Sequence, residues 1–239
     1  MGLKFELEPR AVEILKTTSA KLAAAKTLRF TAVATYESPA RTGQPLAYMS
    51  EYEVVLERPN KLRVLTRGDG PASEFYYDGR KVMAYAPQAN LVAVAQAPPT
   101  IDEMLKAAYD VAGIYFPFTD LIVSDPYKDM SEGLKLAFFV GQSRLVGDTT
   151  TDIVVVANDT VQVQMWIGAE DKLPRMARAT YFDEPGNFRH QVVFSGWQLN
   201  RPVPSVVFAS AKAAAAPRMR FAAPADAAPQ PAQTEGRKP

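Results

Sequence analysis

The hydrophobic pattern changes its period once near the start of the chain, and this change separates a helix from a long series of strands. Apolar residues between positions 10 and 25 recur at helical spacing. The stripe consists of Ala11, Ile14, Leu15, Leu22 and Ala25. Pro9 stands where a helix tolerates proline, in its first turn. The pattern therefore predicts one amphipathic helix at the start of the fold.

From residue 28 onward, apolar and polar residues alternate, and this period of two predicts about eleven strands. The predicted strands span residues 28–36, 48–57, 61–67, 75–77, 81–85, 91–95, 134–140, 151–157, 161–167, 176–182 and 188–199. The pair Asp78-Gly79 predicts a hairpin, because the turn requires positive φ. Residues 183–187 predict a late turn. Strands do not alternate with helices, so we expect an antiparallel sheet.

A helical insert interrupts the strands at about residues 100–131. Thr100 and Glu103 have the spacing of a capping box, and Gly113 fits a left-handed helix end. Two further short helices are predicted around residues 118–123 and 127–130. Helices that interrupt such a sheet bury their apolar stripes by covering its open side. We therefore expect the insert to act as a plug or lid.

Together these elements predict a mainly β (α+β) fold. Eleven antiparallel strands exceed what a twisted sheet holds open, so we expect a curved sheet forming a half-closed β-barrel, with an N-terminal helix and the helical insert. We expect one domain over residues 1–221. Residues 222–239 hold six Ala and four Pro and no large apolar side chain, which predicts a disordered tail.

Composition argues against several classes of function and does not indicate any one of them. Lys plus Arg number 27 and Asp plus Glu 26, so the net charge of +1 does not indicate nucleic acid. The chain has no Cys and one His, which argues against metal sites, and we expect neither metal nor cofactor. Dinucleotide, phosphate-loop and Gly-x-Ser-x-Gly motifs are missing. No apolar run is long enough to predict a transmembrane helix.

The single histidine is the only candidate for acid–base catalysis. His190 falls in phase with Phe188, Val192 and Phe194 on a predicted strand, which favours a structural role. The acidic pair Asp102-Glu103 belongs to a helix cap, and the pair Asp183-Glu184 belongs to a turn. We therefore expect no enzyme, and His190 with a neighbouring carboxylate remains the alternative.

Aromatic and aliphatic residues concentrate in the insert and on the inward phase of some strands. A loop-rich apolar cover over a half-barrel can roof a cavity for a hydrophobic ligand. The candidate lining residues are Tyr109, Ile114, Tyr115, Phe116, Phe118, Leu121, Ile122, Tyr52, Phe75, Tyr77, Trp166 and Phe194. The alternative is that these side chains complete an ordinary core, since phase alone does not say which face of the sheet is inside.

Several stretches resemble a bacterial family of unknown function described as predicted periplasmic proteins. They are residues 9–12, 58–63, 75–90, 97–102, 116–121, 124–127 and 173–175. The resemblance covers roughly residues 8–221. That family is similar in architecture to the lipoprotein carriers LolA and LolB, whose half-barrel holds acyl chains under a helical cover. No residue role is transferred from the carriers.

The resemblance implies a periplasmic protein that binds or carries a hydrophobic ligand without catalysis. The ligand would be an acyl chain or lipid-like molecule, with lipid or lipoprotein trafficking as the setting. The alternative is an envelope scaffold that docks another protein and has a filled core. Residues 1–9 lack the pattern of an export signal, so we expect that the signal has been removed, with a cytoplasmic location as the alternative.

Overall fold

The computed structural model describes residues 6–182 and 186–221. The helices in these residues are α1 Pro9–Ala24, α2 Ile101–Ala112, α3 Thr119–Ile122, α4 Pro126–Ser131 and α5 Ala211–Ala215. The strands are β1 Thr27–Pro39, β2 Pro45–Glu57, β3 Lys61–Gly68, β4 Ser73–Tyr77, β5 Lys81–Ala86, β6 Leu91–Gln96, β7 Leu136–Ser143, β8 Thr151–Ala157, β9 Val161–Gly168, β10 Pro174–Tyr181, β11 Arg189–Leu199 and β12 Arg218–Met219.

The strands form one curved, unclosed sheet. Their order across the sheet is β12-β6-β5-β4-β3-β2-β1-β11-β10-β9-β8-β7. Neighbours are antiparallel except β12, which pairs with β6 in parallel. The prediction of a curved antiparallel sheet of about eleven strands with a helical insert is confirmed. The twelfth strand has two residues, too few to produce a periodic pattern.

Helix α1 lies on the face of the sheet that we call the inner face, which is also the face covered by the insert. Its apolar stripe buries Ala11, Ile14 and Leu15 against Val154 and Ile167 of β8 and β9. Pro9 begins the helix, as its fixed φ allows. The predicted amphipathic helix is therefore confirmed, and it covers the β7–β9 end of the inner face.

The insert follows β6 and covers the rest of the inner face. The amide of Glu103 donates to the hydroxyl oxygen of Thr100, and the Thr100 hydroxyl donates to the Glu103 carboxylate at 2.9 Å. Gly113 ends α2 with φ +62°. Both ends of α2 are therefore as predicted, and the helix buries Ile101 and Met104 against the sheet. Helices α3 and α4 follow at the predicted places.

The hairpin between β4 and β5 has the predicted turn chemistry. Gly79 adopts φ +92°, a conformation that side chains rarely allow. The Asp78 carboxylate accepts hydrogen bonds from the amides of Arg80 and Lys81, each at 3.0 Å. The predicted turn at residues 183–187 falls largely outside the described residues, because 183–185 are not among them.

The outer face of the sheet has a separate apolar cluster at one end. Helix α5 places Ala213 against Tyr76, Met83 and Val92 of β4–β6. Strand β12 then adds to the edge of β6. The chain thus covers both faces of the β4–β6 end. The predicted tail, residues 222–239, lies outside the described residues, and the expected domain boundary stays a prediction.

Candidate ligand-binding cavity

A cavity of about 210 Å³ lies between strands β8–β11 and residues 114–134, which we call the cover segment and which contains α3 and α4. The sheet side is lined by Val156, Ala157, Asn158, Val161, Val163, Met165, Pro174, Ala177, Ala179, Tyr181, His190, Val192 and Phe194. The cover segment contributes Tyr115, Pro117, Phe118, Asp120, Leu121, Asp129, Met130, Glu132 and Leu134. A cavity therefore lies where the helical insert covers the sheet.

Strand alternation supplies the apolar wall of the cavity. On β9, Val161, Val163 and Met165 point into it because successive side chains leave a strand on opposite faces. On β10, Ala177 and Ala179 occupy the inward positions. Alanine fills little space beneath the cover segment, so small inward-facing side chains leave the volume open.

Hydrogen bonds fix the middle of the cover segment to three other elements. The Ser124 amide donates to both oxygens of the Asp102 carboxylate at 3.1 Å, which joins the segment to α2. The Tyr127 amide donates to the Ser19 hydroxyl of α1 at 2.8 Å. The Arg58 guanidinium donates to the Val123 carbonyl at 2.9 Å. The segment is therefore held in place over the cavity at the end of α3 and the start of α4.

An aromatic cluster closes the cavity on the side facing β1 and β2. The Phe118 ring lies 5.4 Å from Phe30, 5.5 Å from Tyr52 and 5.6 Å from Phe116, measured between ring centroids. Phe118 is 1% exposed and also lines the cavity. The same ring therefore belongs to the core and to the cavity wall.

The structure separates the twelve predicted lining residues. Four of them line this cavity: Tyr115, Phe118, Leu121 and Phe194. Phe75 and Ile114 line a smaller apolar cleft of about 80 Å³ between α2 and β4–β6. Tyr109 lines a wide groove of about 930 Å³ on the solvent side of the insert, where Lys106, Ser124 and Lys128 make the walls polar. We take the first cavity as the candidate site because it is larger than the cleft and more enclosed than the groove.

The other five predicted residues do not line the cavity. Phe116 and Ile122 belong to the cover segment but are buried in the core, and Tyr52 packs against the same core. Tyr77 is fully buried, and its hydroxyl donates to the Pro98 carbonyl at 2.5 Å. Trp166 stands between two inward residues of β9 and so lies on the outer face.

Three carboxylates that sequence reasoning missed line the cavity at its solvent-open side, which we call the mouth. They are Asp120, Asp129 and Glu132, all on the surface of the cover segment. Although solvent reaches Asp120, the surrounding walls desolvate it and raise the pKa of its carboxyl, and nearby Asp129 raises it further. Desolvation also raises the pKa of Asp129, with Lys128 acting in the opposite direction. The signal available in the sequence was the presence of these three acidic residues among the apolar residues of the cover segment.

Tyrosines and the single histidine complete the mouth. Tyr181 and His190 both line the cavity, with ring centroids 5.0 Å apart. Tyr115 lies across from them on the cover segment and is 54% exposed. Partial burial in this concave surface raises the pKa of Tyr115, and the neighbouring Asp120 contributes to the same shift. His190 keeps the predicted phase with Val192 and Phe194, which places it on the inner face.

The polar residues among the described lining residues are carboxylates, tyrosines, one asparagine and one histidine. They include no Ser, Thr, Cys or Lys that His190 could activate. Within residues 6–182 and 186–221, no group of three or more His, Cys, Asp or Glu side chains could hold a metal ion. In the same part of the chain, no helix combines the length and hydrophobicity needed to cross a membrane.

The chain belongs to the family described as Predicted periplasmic protein (DUF2092), whose model matches residues 11–222. The predicted family and its periplasmic description are thereby confirmed. No curated protein matches the chain. Family membership covers nearly all of the folded part and names a compartment, and its description names no ligand.

Solved structures similar to this chain include LprF from Mycobacterium bovis, at 14% identity and TM-score 0.48, covering 83% of this chain and 96% of that one. A LolA superfamily protein from Nitrosomonas europaea matches at 10% identity and TM-score 0.34, covering 84% and 97%. The Pseudomonas aeruginosa MucA/MucB complex matches at 16% identity and TM-score 0.47, covering 85% of this chain and 62% of that one, which is under two thirds. At these identities the likeness concerns fold alone.

Proposed function

We propose that this periplasmic protein is a non-catalytic binding module that holds an acyl or lipid-like chain between the cover segment and strands β8–β11. The observation that carries the proposal is the cavity itself, whose inner walls are formed by aliphatic and aromatic side chains from both sides. Apolar walls with a few polar groups at one end are typical of small-molecule sites. An amphiphile would place its chain inside and its head group at the mouth.

The size of the cavity supports a slender ligand. Its volume of about 210 Å³ is below the roughly 300 Å³ at which sites for drug-sized ligands begin. Each buried CH₂ group contributes about 0.8 kcal/mol, so even a partly inserted chain gains useful affinity. A bulkier ligand would require the cover segment to shift, and Tyr115, near the start of that segment, is 54% exposed.

We propose a non-catalytic role because of the chemistry of the described lining residues. His190 lies near Tyr181 and shares the cavity with carboxylates, but the lining offers it no aliphatic hydroxyl, thiol or amine to activate. The proposal therefore assigns the polar groups to recognition of a head group.

Native mass spectrometry of protein purified without detergent, followed by organic extraction, tests the proposal directly. A discrete added mass in the acyl or phospholipid range supports it. A filled-cavity variant, Ala179→Phe, should lose the added mass, because Ala179 is an inward position of β10. The matched control is Thr180→Phe, which places the same ring on the opposite face of the same strand.

A fluorescence titration measures affinity on the same site. Trp197 lies 5.9 Å from cavity-lining Phe194, and its indole N–H donates to the carbonyl of cavity-lining Pro174 at 2.8 Å. The chain has two tryptophans, so Trp166→Phe leaves Trp197 as the only one. We expect dodecanol to change Trp197 emission in this background and not after Ala179→Phe. Failure of every tested amphiphile to bind would reject the binding function.

A second candidate function is the docking of an envelope protein, and the tip of the β1–β2 hairpin favours it. Leu46 and Tyr48 lie on the same face of this hairpin and are 47% and 37% exposed. A photo-crosslinking residue at Tyr48 should give a discrete adduct in the periplasm if this tip docks a protein, whereas the same residue at Thr35, on the opposite face of the hairpin, should not. No adduct at Tyr48 would count against docking.

A further inference from the structure

We propose that the mouth of the cavity selects an amphiphile with a positively charged amine or quaternary ammonium head group, whose apolar chain enters the cavity. This inference rests on the proposed function and specifies the class of ligand. It is carried by two features that lie together at the mouth: carboxylates without a basic partner, and a group of tyrosine rings.

The charge at the mouth has one sign. Asp120, Asp129 and Glu132 line it, and no Lys or Arg stands among the described lining residues. Within residues 6–182 and 186–221, none of these three carboxylates forms an ion pair with Lys or Arg. Lys128 lines the outer groove, which Asp129 also borders, and it acts electrostatically on Asp129 without forming an ion pair with it. A cation bound at the mouth would supply the missing counter-charge.

The positions of these carboxylates make an anionic ligand unfavourable. Desolvation raises the carboxyl pKa values of Asp120 and Asp129, and the neighbouring Asp129 adds to the shift at Asp120, so further negative charge is disfavoured here. A fatty-acid carboxylate at the same place would add repulsion, and its own desolvation would find no Lys or Arg donor among the described lining residues. A cation reverses both effects.

Tyrosine rings surround the same opening. Tyr115 and Tyr181 line it from the two sides. Tyr36 lies 6.3 Å from His190 and stacks on Tyr48 at 5.6 Å, which extends the aromatic surface onto the β1–β2 hairpin. The face of a tyrosine ring attracts a cation, and such rings recognise quaternary ammonium groups. Carboxylates and tyrosine faces therefore favour the same charge by independent means.

The polarity gradient gives the ligand its orientation. Phe118, Leu121 and Phe194 are buried, whereas the mouth residues Tyr115 and Asp120 are exposed. An alkyl chain therefore lies against the buried walls, and the charged head stays at the solvent-open side, where it keeps part of its hydration.

Three probes that share a dodecyl chain test the charge preference: dodecyltrimethylammonium, dodecanol and dodecanoate. Each is titrated below its micelle concentration with Trp197 emission as the readout. We expect the ammonium probe to bind about tenfold more tightly than dodecanoate, with dodecanol between them. Equal or tighter binding of dodecanoate overturns the inference while the binding function stands. If none of the three binds, both proposals fail.

Variants that remove charge then test which residues cause the preference for the ammonium probe over dodecanoate. Asp120→Asn, Asp129→Asn and Glu132→Gln combined should reduce the difference between ammonium probe and dodecanoate to about twofold or less, with dodecanol affinity unchanged. The control is Glu170→Gln, an exposed carboxylate outside the cavity. Tyr115→Leu should weaken only the ammonium probe. An unchanged preference in both the combined variant and Tyr115→Leu would overturn the assignment.

Discussion

The inner face of the sheet is filled over β1–β5 apart from the small cleft beside α2, and it is partly open over β8–β11, although the same alternation of side chains produces both regions. In the filled region, the inward positions hold Phe30, Phe75 and Tyr77, all buried. In the open region, inward positions include Ala177 and Ala179. Ala32 and Ala34 of β1 are also small but are buried in the core, so inward alanines leave volume open only where the cover segment does not fill it.

The cover segment spans both regions and changes character between them. Phe116 stacks on Phe118 and lies 5.5 Å from Phe75, so this part of the segment completes the core. Asp120 and Asp129, farther along, face the cavity mouth. The cover segment therefore completes the core over the filled region and places carboxylates at the mouth of the cavity over the open region.

The strongest test of this contrast places a charge in each region. Phe116→Asp buries an unpaired carboxylate in the core and should cost about 5 kcal/mol or more in unfolding free energy. Tyr115→Asp changes the neighbouring residue, which is 54% exposed, and should cost much less. Urea denaturation followed by circular dichroism measures both, and similar losses for the two variants would contradict the assignment.

Removing the ring shared by both regions should have the next largest effect. Phe118→Ala leaves a void among Phe30, Tyr52 and Phe116 and should cost about 3–5 kcal/mol. It should also enlarge the cavity, so bulkier amphiphiles should bind better at temperatures where the variant stays folded. Urea denaturation and Trp197 titration check the two parts, and a loss below about 1 kcal/mol would argue against its place in the core.

A matched pair of smaller deletions compares the two walls. Val64→Ala in the filled region should cost about 2 kcal/mol, since Val64 is fully buried in the core. Val163→Ala on the cavity wall should cost about 1 kcal/mol or less, because its side chain already borders open volume. Equal losses in urea denaturation would indicate that the cavity is filled in solution.

The smallest expected effect concerns pH. The folded state holds the pKa of Asp120 above its ordinary value of 3.8, so the folded state binds more protons between the two values and stability falls as pH rises through that window. Asp120→Asn should therefore raise Tm slightly at neutral pH and leave it unchanged below about pH 3.

The groups that share this pH response must be separated from Asp120. Asp129, Glu132, His190, Tyr115 and Tyr181 face the same cavity. Lys128 offsets part of the repulsion at Asp129. Glu170→Gln is the control for loss of one surface charge, and calorimetry across pH compares it with Asp120→Asn. A lower Tm for Asp120→Asn at neutral pH would show that the carboxylate stabilises the fold.

Local signals account for how much of the fold could be predicted. The α2 cap at Thr100, its end at Gly113 and the turn at Asp78-Gly79 each follow from chemistry within a few residues. Strand β12 was missed because a two-residue pairing depends on β6 and on no periodic pattern of its own. Short-range chemistry thus predicts element types well and long-range pairing poorly.

The candidate site was predicted only in part, for a reason visible in particular residues. Large aromatic side chains suggested a lining, yet Phe116 and Tyr77 fill space and lie in the core. Trp166 was predicted to line the cavity but lies on the outer face of the sheet. The prediction failed because a period of two defines two faces of a strand without indicating which face is inside. The alanines that leave the cavity open carry no signal in the sequence.

By itself the sequence determined the helices, the strand series, the insert and the family, because each depends on periodicity, capping or local motifs. The tertiary structure alone decided that Asp120 meets Tyr181 and His190, which lie much farther along the chain, at one opening. It also decided where volume stays empty. Both results depend on how a curved sheet brings distant strands under one cover segment. Which side chains face each other across that gap is decided only when the chain folds.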